Sequence, residues 1–416
     1  MGDVANVKGG KRLPRGVNLT TEANKHPYIR VRDLGSKKTL ELDSSYEYVD
    51  DETQKKIARY IVNEGDIIIS IVGTIGLVAI IGSSLDNANL TENCVKLIDL
   101  KGIDKEFLYY YLISDKGKNE IEKGVVGAVQ AKLPIKNIQA IKIKAPVIND
   151  QKRIASILST IDSKIECNRR INENLEQQAQ ALFKSWFVDF EPFKDQPFVE
   201  SELGMIPQGW RVARIKDIPH TLNTGKRPKG GAIASGVPSI GAEQLKGLCN
   251  YDYTKTKYIS KEYSQSIPKG KVVGFEVYLN RVGGKPGDYI QNTTMFGEGY
   301  PYENCYINDH VFKLDFMQNR GYNVYIYFTF LTSRIKKYLN ACGGKAAIPV
   351  INKQNIDDIY VFLPENEYVI KFGESVLPIM NIIFKNGLES ARLAELRDTL
   401  LPKLMSGELK VENVTF

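Results

Sequence analysis

Apolar residues recur at alternating steps of four and three along two segments of the chain, 154–186 and 372–404. The second segment repeats the first at a fixed offset (372 − 154 = 218). The first set is Ile154, Leu158, Ile161, Ile165, Asn168, Asn172, Leu175, Ala179, Leu182 and Trp186. The second set, in which Arg397 departs from its counterpart, is Phe372, Val376, Ile379, Ile383, Asn386, Ser390, Leu393, Arg397, Leu400 and Leu404. This spacing predicts two long amphipathic helices that can bury their apolar stripes against each other.

Both apolar stripes are interrupted by polar residues near the middle, Asn168 and Asn172 in the first segment and Asn386 and Ser390 in the second. A chain of similar halves, ordered domain, helix, domain, helix, closes most simply when its two helices run antiparallel. That arrangement predicts the pairs Asn168–Ser390 and Asn172–Asn386, whereas parallel helices would place Asn168 against Asn386. Buried polar pairs lower stability but penalise a slipped register, so we interpret the four residues as a polar layer of the helix pair.

The sequence repeat extends outside the two helical segments. Each helix follows a short apolar stretch that ends in a proline, Pro146 or Pro364, which predicts a β-strand that stops there. Further corresponding stretches are 107–112 with 325–331, and Gly10-Lys11-Arg12-Leu13-Pro14 with Gly225-Lys226-Arg227-Pro228. Between these anchors the halves diverge. A kept framework with changed loops is typical of two binding modules with different targets; a duplicated scaffold whose loops have drifted is the alternative.

The pattern predicts an α+β fold with two β-containing domains separated by an antiparallel pair of long helices, and an internal pseudo-twofold repeat. The apolar run 67–81 is interrupted by glycines and is too short for a membrane span, so it predicts two buried strands around a turn. The predicted segments are a first domain at 1–146, a central helix at 147–190, a linker at 191–209, a second domain at 210–364, and a distal helix with a tail at 365–416.

Composition and motif content argue against an enzyme active site. The net charge of +7 and the pI near 8.8 are compatible with an anionic partner. The five cysteines form no CxxC pair and the chain does not open with a signal peptide, so we expect reduced thiols in a cytoplasmic protein. Three scattered histidines, without a P-loop, a GxGxxG or an Asn/Asp-Pro-Pro-Tyr/Phe motif, lead us to expect no catalytic residues, no metal and no bound cofactor.

Basic and amide side chains, most of them beside glycines, are the remaining candidate functional residues. Lysine and arginine neutralise phosphates, glycine lets a backbone approach them closely, and amides can bond base edges. The candidate DNA-contacting residues are Lys11, Arg12, Arg30, Arg32, Gln130, Lys132, Lys226, Arg227, Gln244, Arg281, Lys285 and Lys345. Any one of them could be an ordinary solvated loop charge. As a set that recurs in both halves, they favour a nucleic-acid ligand.

Four segments of the chain resemble the specificity subunits of type I restriction–modification systems. They are Ile206-Pro207-Gln208-Gly209-Trp210, the proline-to-helix junction at 145–154, the end of the central helix at 182–190, and the end of the distal helix at 396–409. The resemblance spans essentially the whole chain. One departure is that the first domain lacks a stretch matching 206–210, because 2–4 already aligns with 216–218.

The resemblance implies a chain without catalytic activity that supplies the DNA sequence specificity of a larger enzyme. It implies two target-recognition domains that each read one half of a bipartite duplex target, and helices that dock two modification subunits. Those subunits would carry S-adenosylmethionine and methylate adenine after flipping it out of the duplex, and restriction subunits would add ATP-driven translocation and cleavage. Two alternatives stay open: a coiled-coil adaptor that binds protein, and an enzyme with an unrecognised site.

Overall fold

Helices and strands alternate along the chain and gather into two units. The computed structural model describes residues 1–35, 37–127, 129–317, 319–344 and 347–411. Unit 1 comprises Met1–Lys164 and Leu393–Phe416, and unit 2 comprises Ile165–Arg392. Both long helices contribute residues to both units, because the boundaries fall inside them. The predicted mixed fold class, with strands in each half and two long helices, is confirmed.

Unit 1 contains short strands, short helices and the first part of a long helix. Its strands are β1 (Asn6–Gly9), β2 (Pro27–Ile29), β3 (Thr39–Leu40), β4 (Glu47–Tyr48), β5 (Ile67–Ser70), β6 (Val78–Ile81), β7 (Asn89–Leu90) and β8 (Cys94–Ile98). Its helices are α1 (Asp51–Ile57), α2 (Lys105–Ile113), α3 (Asp115–Gly124), α4 (Ile135–Ala140) and the beginning of α5 (Ile148–Phe187). The sheets have the strand orders β1-β8-β5-β6-β3 and β4-β2-β7. The two buried strands predicted in 67–81 are confirmed as β5 and β6, which pair antiparallel.

Unit 2 contains the rest of α5 and the elements that follow it. Its strands are β9 (Phe198–Ser201), β10 (Gly204–Pro207), β11 (Arg211–Arg214), β12 (Thr221–Thr224), β13 (Val237–Ile240), β14 (Lys257–Ile259), β15 (Val277–Asn280), β16 (Gly284–Lys285), β17 (Asp288–Tyr289), β18 (Thr293–Met295), β19 (Tyr306–Ile307), β20 (Val311–Asp315) and β21 (Tyr360–Leu363). Its helices are α6 (Lys261–Ser266), α7 (Arg320–Leu331), α8 (Ser333–Gly343), α9 (Lys353–Asp357) and most of α10 (Asn366–Ser406). The main sheet has the order β12-β20-β15-β18, and a smaller one has the order β14-β13-β19.

The two units repeat one topology. In unit 1, β8 lies between β1 and β5 and is antiparallel to both, as β20 is to β12 and β15 in unit 2. In the small sheets, β2 is antiparallel to β4 and parallel to β7, and β13 relates to β14 and β19 in the same way. The aromatic helices α2 and α7 are buried in the two cores. The sequence repeat is therefore also a repeat of structure.

Each unit contains an antiparallel pair of segments from α5 and α10. In unit 1, apolar residues near the start of α5, such as Ile154, share a core with residues near the end of α10, such as Leu404. In unit 2, Phe183 from the later part of α5 meets Phe372 from the early part of α10, with ring centroids 6.0 Å apart. Residue numbers rise along one helix as they fall along the other, as expected for antiparallel helices.

One of the two strands predicted ahead of the long helices does not form. Tyr360–Leu363 is the strand β21, which pairs with β11. The corresponding stretch in the first half, 141–145, has no strand conformation, because no described strand of unit 1 pairs with it. Across the described residues, no helix is both long enough and apolar enough to span a membrane.

Candidate nucleic-acid interface

Candidate residues of unit 2 meet at one end of its main sheet. The last residues of β12 and β15 both lie opposite the first residues of β20, so the segments that follow these strands leave the sheet at the same edge. Lys226 and Arg227 follow β12, and Arg281 follows β15. Lys285 lies just beyond, on the β16–β17 hairpin. All four side chains are exposed. We call this end of the sheet the basic edge of unit 2.

Unit 1 has an equivalent basic edge. β1 and β5 end opposite the start of β8, and Lys11 and Arg12 follow β1. The segment after β5 forms an isolated β-bridge between Val72 and Lys132. Lys132 and its neighbour Gln130 are exposed, as are Lys11 and Arg12. The fold therefore brings four of the predicted residues of the first half to one edge.

A third segment closes each basic edge. In unit 1, the N–H of Leu133 donates to the carbonyl of Ile71 at 2.9 Å, and in unit 2 the N–H of Ile351 donates to the carbonyl of Arg281 at 3.0 Å. The two bonds join the chain ahead of α4 and α9 to the segments that follow β5 and β15, respectively. Lys345, the remaining candidate of this segment, lies outside the described residues.

The glycines ahead of the basic pairs serve the protein's own backbone. A Cβ added to Gly10 would lie 2.0 Å from the carbonyl oxygen of Thr91, and one added to Gly225 would lie 1.7 Å from that of Ile307. The chain crosses the small sheet so closely at these positions that no side chain fits. The expectation that these glycines bring the backbone to a phosphate is therefore replaced by a packing reason.

An acidic residue holds the arginine of each basic pair. The Nε of Arg12 donates to Glu92 at 2.7 Å, and the Nε of Arg227 lies 3.4 Å from a carboxylate oxygen of Asp309. Both acids lie on the turn that enters the central strand, β8 or β20. The hydrogen bond to Glu92 raises the pKa of the Arg12 guanidinium. The lysines Lys11 and Lys226 make no ion pair with any described residue, so they are the freer cations.

A buried asparagine fixes the loop that carries Arg281 and Lys285. The Nδ2 of Asn280 donates to the carbonyls of Val282 and Ile290, at 3.2 and 2.9 Å. Its Oδ1 accepts from the N–H of Asn292 and from the hydroxyl of Tyr289, at 2.7 and 3.0 Å. The side chain thus uses both donors and its carbonyl to shape the β16–β17 hairpin.

Comparisons with known proteins give matches to one kind of protein. Residues 1–177 match the family model described as the type I restriction modification DNA specificity domain. The MjaIX specificity subunit of Methanocaldococcus jannaschii is 27% identical, across 99% of this chain and 94% of that protein. Along nearly its whole length the chain is thus similar to a type I specificity subunit. The HindI specificity subunit of Haemophilus influenzae is 25% identical, across 73% of this chain and 77% of that protein.

The fold is similar to that of a solved S subunit. The crystal structure of the S subunit from M. genitalium superposes with a TM-score of 0.54 and 17% identity, covering 97% of this chain and 94% of that one. Specificity subunits are the non-catalytic, DNA-recognising components of type I systems.

Arg30 and Arg32 are both held in unit 1 by an ion pair. Both guanidinium groups pair with Glu47, Arg32 at 2.9 Å. In unit 2 the corresponding ion pair recurs with its charges exchanged, between Glu243 and Lys257 at 3.2 Å. In both units the ion pair therefore joins the turn after β2 or β13 to the neighbouring strand, β4 or β14. It keeps this place although its positive and negative partners are exchanged. The side chain of Arg30 is mostly covered by the protein, whereas about half of the Arg32 side chain is exposed. Of the two arginines, Arg32 is therefore the one that a ligand can reach.

Gln244 departs from its predicted role. Its side chain is 2% exposed, accepts from the N–H of Gly241 at 2.9 Å and donates to the hydroxyl of Tyr251 at 2.9 Å. The amide therefore faces protein, not solvent. Asp33 makes the same backbone bond in unit 1, accepting from the N–H of Arg30 at 2.7 Å. Burial raises the pKa of Asp33 to about 6, although the neighbouring Arg32 opposes the shift.

The four polar residues of the helix segments meet in two pairs inside unit 2. The Nδ2 of Asn168 donates to the Oγ of Ser390 at 3.3 Å and to Glu389 at 2.7 Å. The Nδ2 of Asn386 donates to the Oδ1 of Asn172 at 2.8 Å. These are the partners that antiparallel helices require. That the pairs fix the register stays a proposal.

Sequence reasoning missed the residues that position the basic edges. Glu92 and Asp309 each stand two residues before the central strand of their unit, so a position-by-position alignment of the halves would have paired them. The sequence repeat did not point to Asn280, because the residue at the equivalent position in the first half is a serine, Ser70. Ser70 nonetheless acts similarly: its hydroxyl donates to the carbonyl of Thr74 at 2.6 Å and accepts from the N–H of Leu77 at 2.9 Å.

Proposed function

We propose that this chain is a type I specificity subunit that reads a bipartite duplex target, one half through the basic edge of each unit, and that docks two modification subunits through α5 and α10. The observation that carries the proposal is that both units have a basic edge with a lysine at the same place, while the loops around it differ. Lys11 and Lys226 stand at the same place after the first strand of their sheets. Beyond the two Lys-Arg pairs the loops differ between the halves, as two readers of different sequences require.

The kept and the changed residues of the edges suit different parts of DNA. A lysine that neutralises a phosphate releases a counterion and adds affinity for any sequence. An arginine or glutamine that reaches a base edge adds discrimination between sequences. We assign Lys11 and Lys226 to phosphates because they are exposed and occupy the same place in both halves. Lys285 is assigned to a phosphate because it is an exposed lysine near Lys226 at the same edge. We assign Arg281 and Gln130 to base edges because each is present in one half alone.

The long helices supply the docking surface in this proposal. Exposed aliphatic side chains remain on both of them within unit 2, at Ile171 on α5 and at Ile370 and Ile382 on α10. We assign these side chains to contacts with the modification subunits. S-adenosylmethionine would be bound by the modification subunits and ATP by restriction subunits, so this chain needs no cofactor of its own.

Alanine substitution at the basic edge of unit 2 tests the proposal. The variant Lys226→Ala/Arg281→Ala/Lys285→Ala is compared with the wild type by fluorescence anisotropy, on random and on target duplexes, at several salt concentrations. Each lost phosphate contact should flatten the slope of log K against log salt by about 0.9. Loss of the base contact should cost roughly 1–3 kcal/mol on the target alone.

The matched control is Lys385→Ala, which removes one exposed lysine from α10. Phe384, its neighbour, packs on Phe275 with ring centroids 5.6 Å apart, ahead of β15 and thus away from the basic edge that follows that strand. This variant should leave DNA affinity unchanged. If the triple variant keeps both the affinity and the salt slope of the wild type, the basic edge does not bind DNA.

A further inference from the structure

An arginine and an acidic residue form an ion pair at the same place in both basic edges. The arginine, Arg12 or Arg227, lies three residues after the end of β1 or β12. The acid, Glu92 or Asp309, lies three residues before the residue of β8 or β20 that faces this strand end. The two ion pairs are therefore equivalent by the register of the sheets, although the loops around them differ between the units.

The backbone holds each acid at its edge independently of the arginine. In unit 1 the N–H of Cys94 donates to the carbonyl of Thr91 at 3.1 Å, and in unit 2 the N–H of Val311 donates to the carbonyl of Asn308 at 3.3 Å. These two bonds close the same turn around the acid of each unit. In unit 1 the hydroxyl of Thr91 also donates to the carboxylate oxygen that the arginine does not use, at 3.1 Å. The carboxylate is thus part of the edge before any ligand binds.

Both carboxylates are accessible to a ligand of the basic edge. The side chain of Glu92 is 30% exposed and that of Asp309 is 41% exposed. A negative charge at this place cancels one positive charge of the edge and repels the phosphates of any duplex, whatever its sequence. Exposed ion pairs contribute little to stability, so folding alone does not explain why both units keep one here.

The equivalent acids therefore act on DNA binding. We propose that Glu92 and Asp309 are specificity-determining residues that weaken the binding of the basic edges to DNA lacking the target sequence. This inference rests on the proposed function. One phosphate contact changes log K by about 0.9 per unit of log salt, so at roughly 0.15 M salt one cancelled cation weakens binding about fivefold, and two weaken it about 25-fold. On the target, base contacts fix where the duplex lies, so a freed arginine adds less affinity there than on a duplex that can settle against it.

Neutral variants of the two acids test the inference. Glu92→Gln/Asp309→Asn keeps the size of both side chains and removes their charges. Its affinity for a random duplex, and for the target once methylome sequencing has given it, is measured by fluorescence anisotropy at several salt concentrations. We expect the variant to bind the random duplex about 25-fold more tightly at roughly 0.15 M salt, with a slope of log K against log salt that is steeper by about 1.8. The gain on the target should be smaller, so that the ratio of the two affinities falls. A gain in affinity also separates this role from a structural one, because a damaged edge would bind less.

Two controls accompany this variant. Glu298 pairs with Arg320 in unit 2, and Arg320 lies over the ring of Phe275, ahead of β15 and thus at the end of the main sheet away from the basic edge. Glu298→Gln should therefore leave both affinities unchanged. Adding Arg12→Ala and Arg227→Ala to the neutral variant should return the salt slope to that of the wild type, because no arginine is left to be freed.

Three results would overturn the inference. The neutral variant could bind the random duplex with the affinity and slope of the wild type, or it could bind more weakly, which would mean that the acids hold the shape of the edge. The gain on the target could also equal the gain on the random duplex. A wild type whose DNA binding shows neither salt dependence nor a preference for the target overturns the proposed function instead.

Discussion

Unit 1 buries a bonded trio of polar side chains where α2, α5 and α10 pack together. The hydroxyl of Tyr110 donates to one carboxylate oxygen of Asp162 at 2.5 Å, and a guanidinium nitrogen of Arg397 donates to the other at 2.8 Å. The repeat offset of 218 leads to three apolar, buried residues in unit 2, namely Phe328, Met380 and Ala179. The same packing site is therefore polar in one unit and apolar in the other.

Removing Arg397 alone should destabilise unit 1. In Arg397→Ala, the carboxylate of Asp162 would keep the Tyr110 hydroxyl but lose its cation. The side chains of Asp162 and Arg397 are 14% and 28% exposed, so the pair is largely but not fully desolvated. We expect a loss of about 2–3 kcal/mol in the free energy of unfolding, below the roughly 3–5 kcal/mol of fully buried pairs.

Replacing the whole trio by its unit 2 counterpart should restore stability. In Tyr110→Phe/Asp162→Met/Arg397→Ala, no buried charge is left unpaired, because Asp398, which also loses Arg397, is 65% exposed. Methionine fills the volume that arginine leaves. Lys38 loses the Tyr110 oxygen but keeps its ion pair with Glu106 and its bond of 2.8 Å to Ser159. An apolar set of similar volume is often as stable as the ion pair it replaces, so we expect stability within about 1 kcal/mol of the wild type.

The assay must separate the two units. Both tryptophans, Trp186 and Trp210, belong to unit 2, so their fluorescence in urea follows unit 2 and should be the same in all variants. Hydrogen–deuterium exchange of peptides covering 105–113 and 154–164 follows unit 1. If Arg397→Ala exchanges as slowly as the wild type, or if the triple variant is as unstable as Arg397→Ala, the pairing of charge at Asp162 is not what stabilises this site.

Three further outcomes follow from single features. Because its folded-state pKa of about 6 lies above the ordinary value of 3.8, Asp33 stabilises unit 1 below pH 4 and loses that contribution as pH rises to 6. Wild type should therefore lose stability relative to Asp33→Asn over that range, and parallel pH curves would contradict this. Gly225→Ala places a Cβ 1.7 Å from the Ile307 carbonyl, so the displaced basic loop should weaken DNA binding in anisotropy; full affinity would refute the packing reason. Replacing all four residues of the polar layer by leucine should raise the urea midpoint of unfolding followed by tryptophan fluorescence, and should increase the dimer fraction in sedimentation. A lowered midpoint would contradict a layer that is kept for register. The four residues are Asn168, Asn172, Asn386 and Ser390.

The repeat made most of the architecture predictable. Period and offset predicted both long helices within a few residues, because a helix that buries one stripe must repeat apolar positions every three to four residues. The strand pair β5–β6 was also predictable from a local pattern. A run of apolar, β-branched residues that is interrupted by glycines favours two buried strands joined by a turn. The strand expected at 141–145 was not, because a strand forms only where a partner strand is present, and a local pattern does not contain the partner.

The candidate site was predictable in part. Glycine followed by Lys-Arg in both halves led to Lys11 and Lys226, which the fold places at equivalent edges. The sequence did not distinguish Gln244 from Gln130, because burial of one and exposure of the other depend on the turn around them. Nor did it reveal Lys96 and Lys313, which are buried in β8 and β20 with their amines 3.8 and 3.5 Å from a carboxylate. A buried lysine needs a partner that is distant in sequence.

The central claim is that each unit reads one half of the target independently. Its most direct test replaces residues 210–364 with the equivalent domain of a relative whose methylated sequence is known. Methylome sequencing of a host that expresses the hybrid with its modification subunits then gives the new target. Our account predicts that one half of the methylated sequence becomes that of the relative and the other half stays unchanged. Both halves changing together, in a hybrid that still methylates, would contradict it.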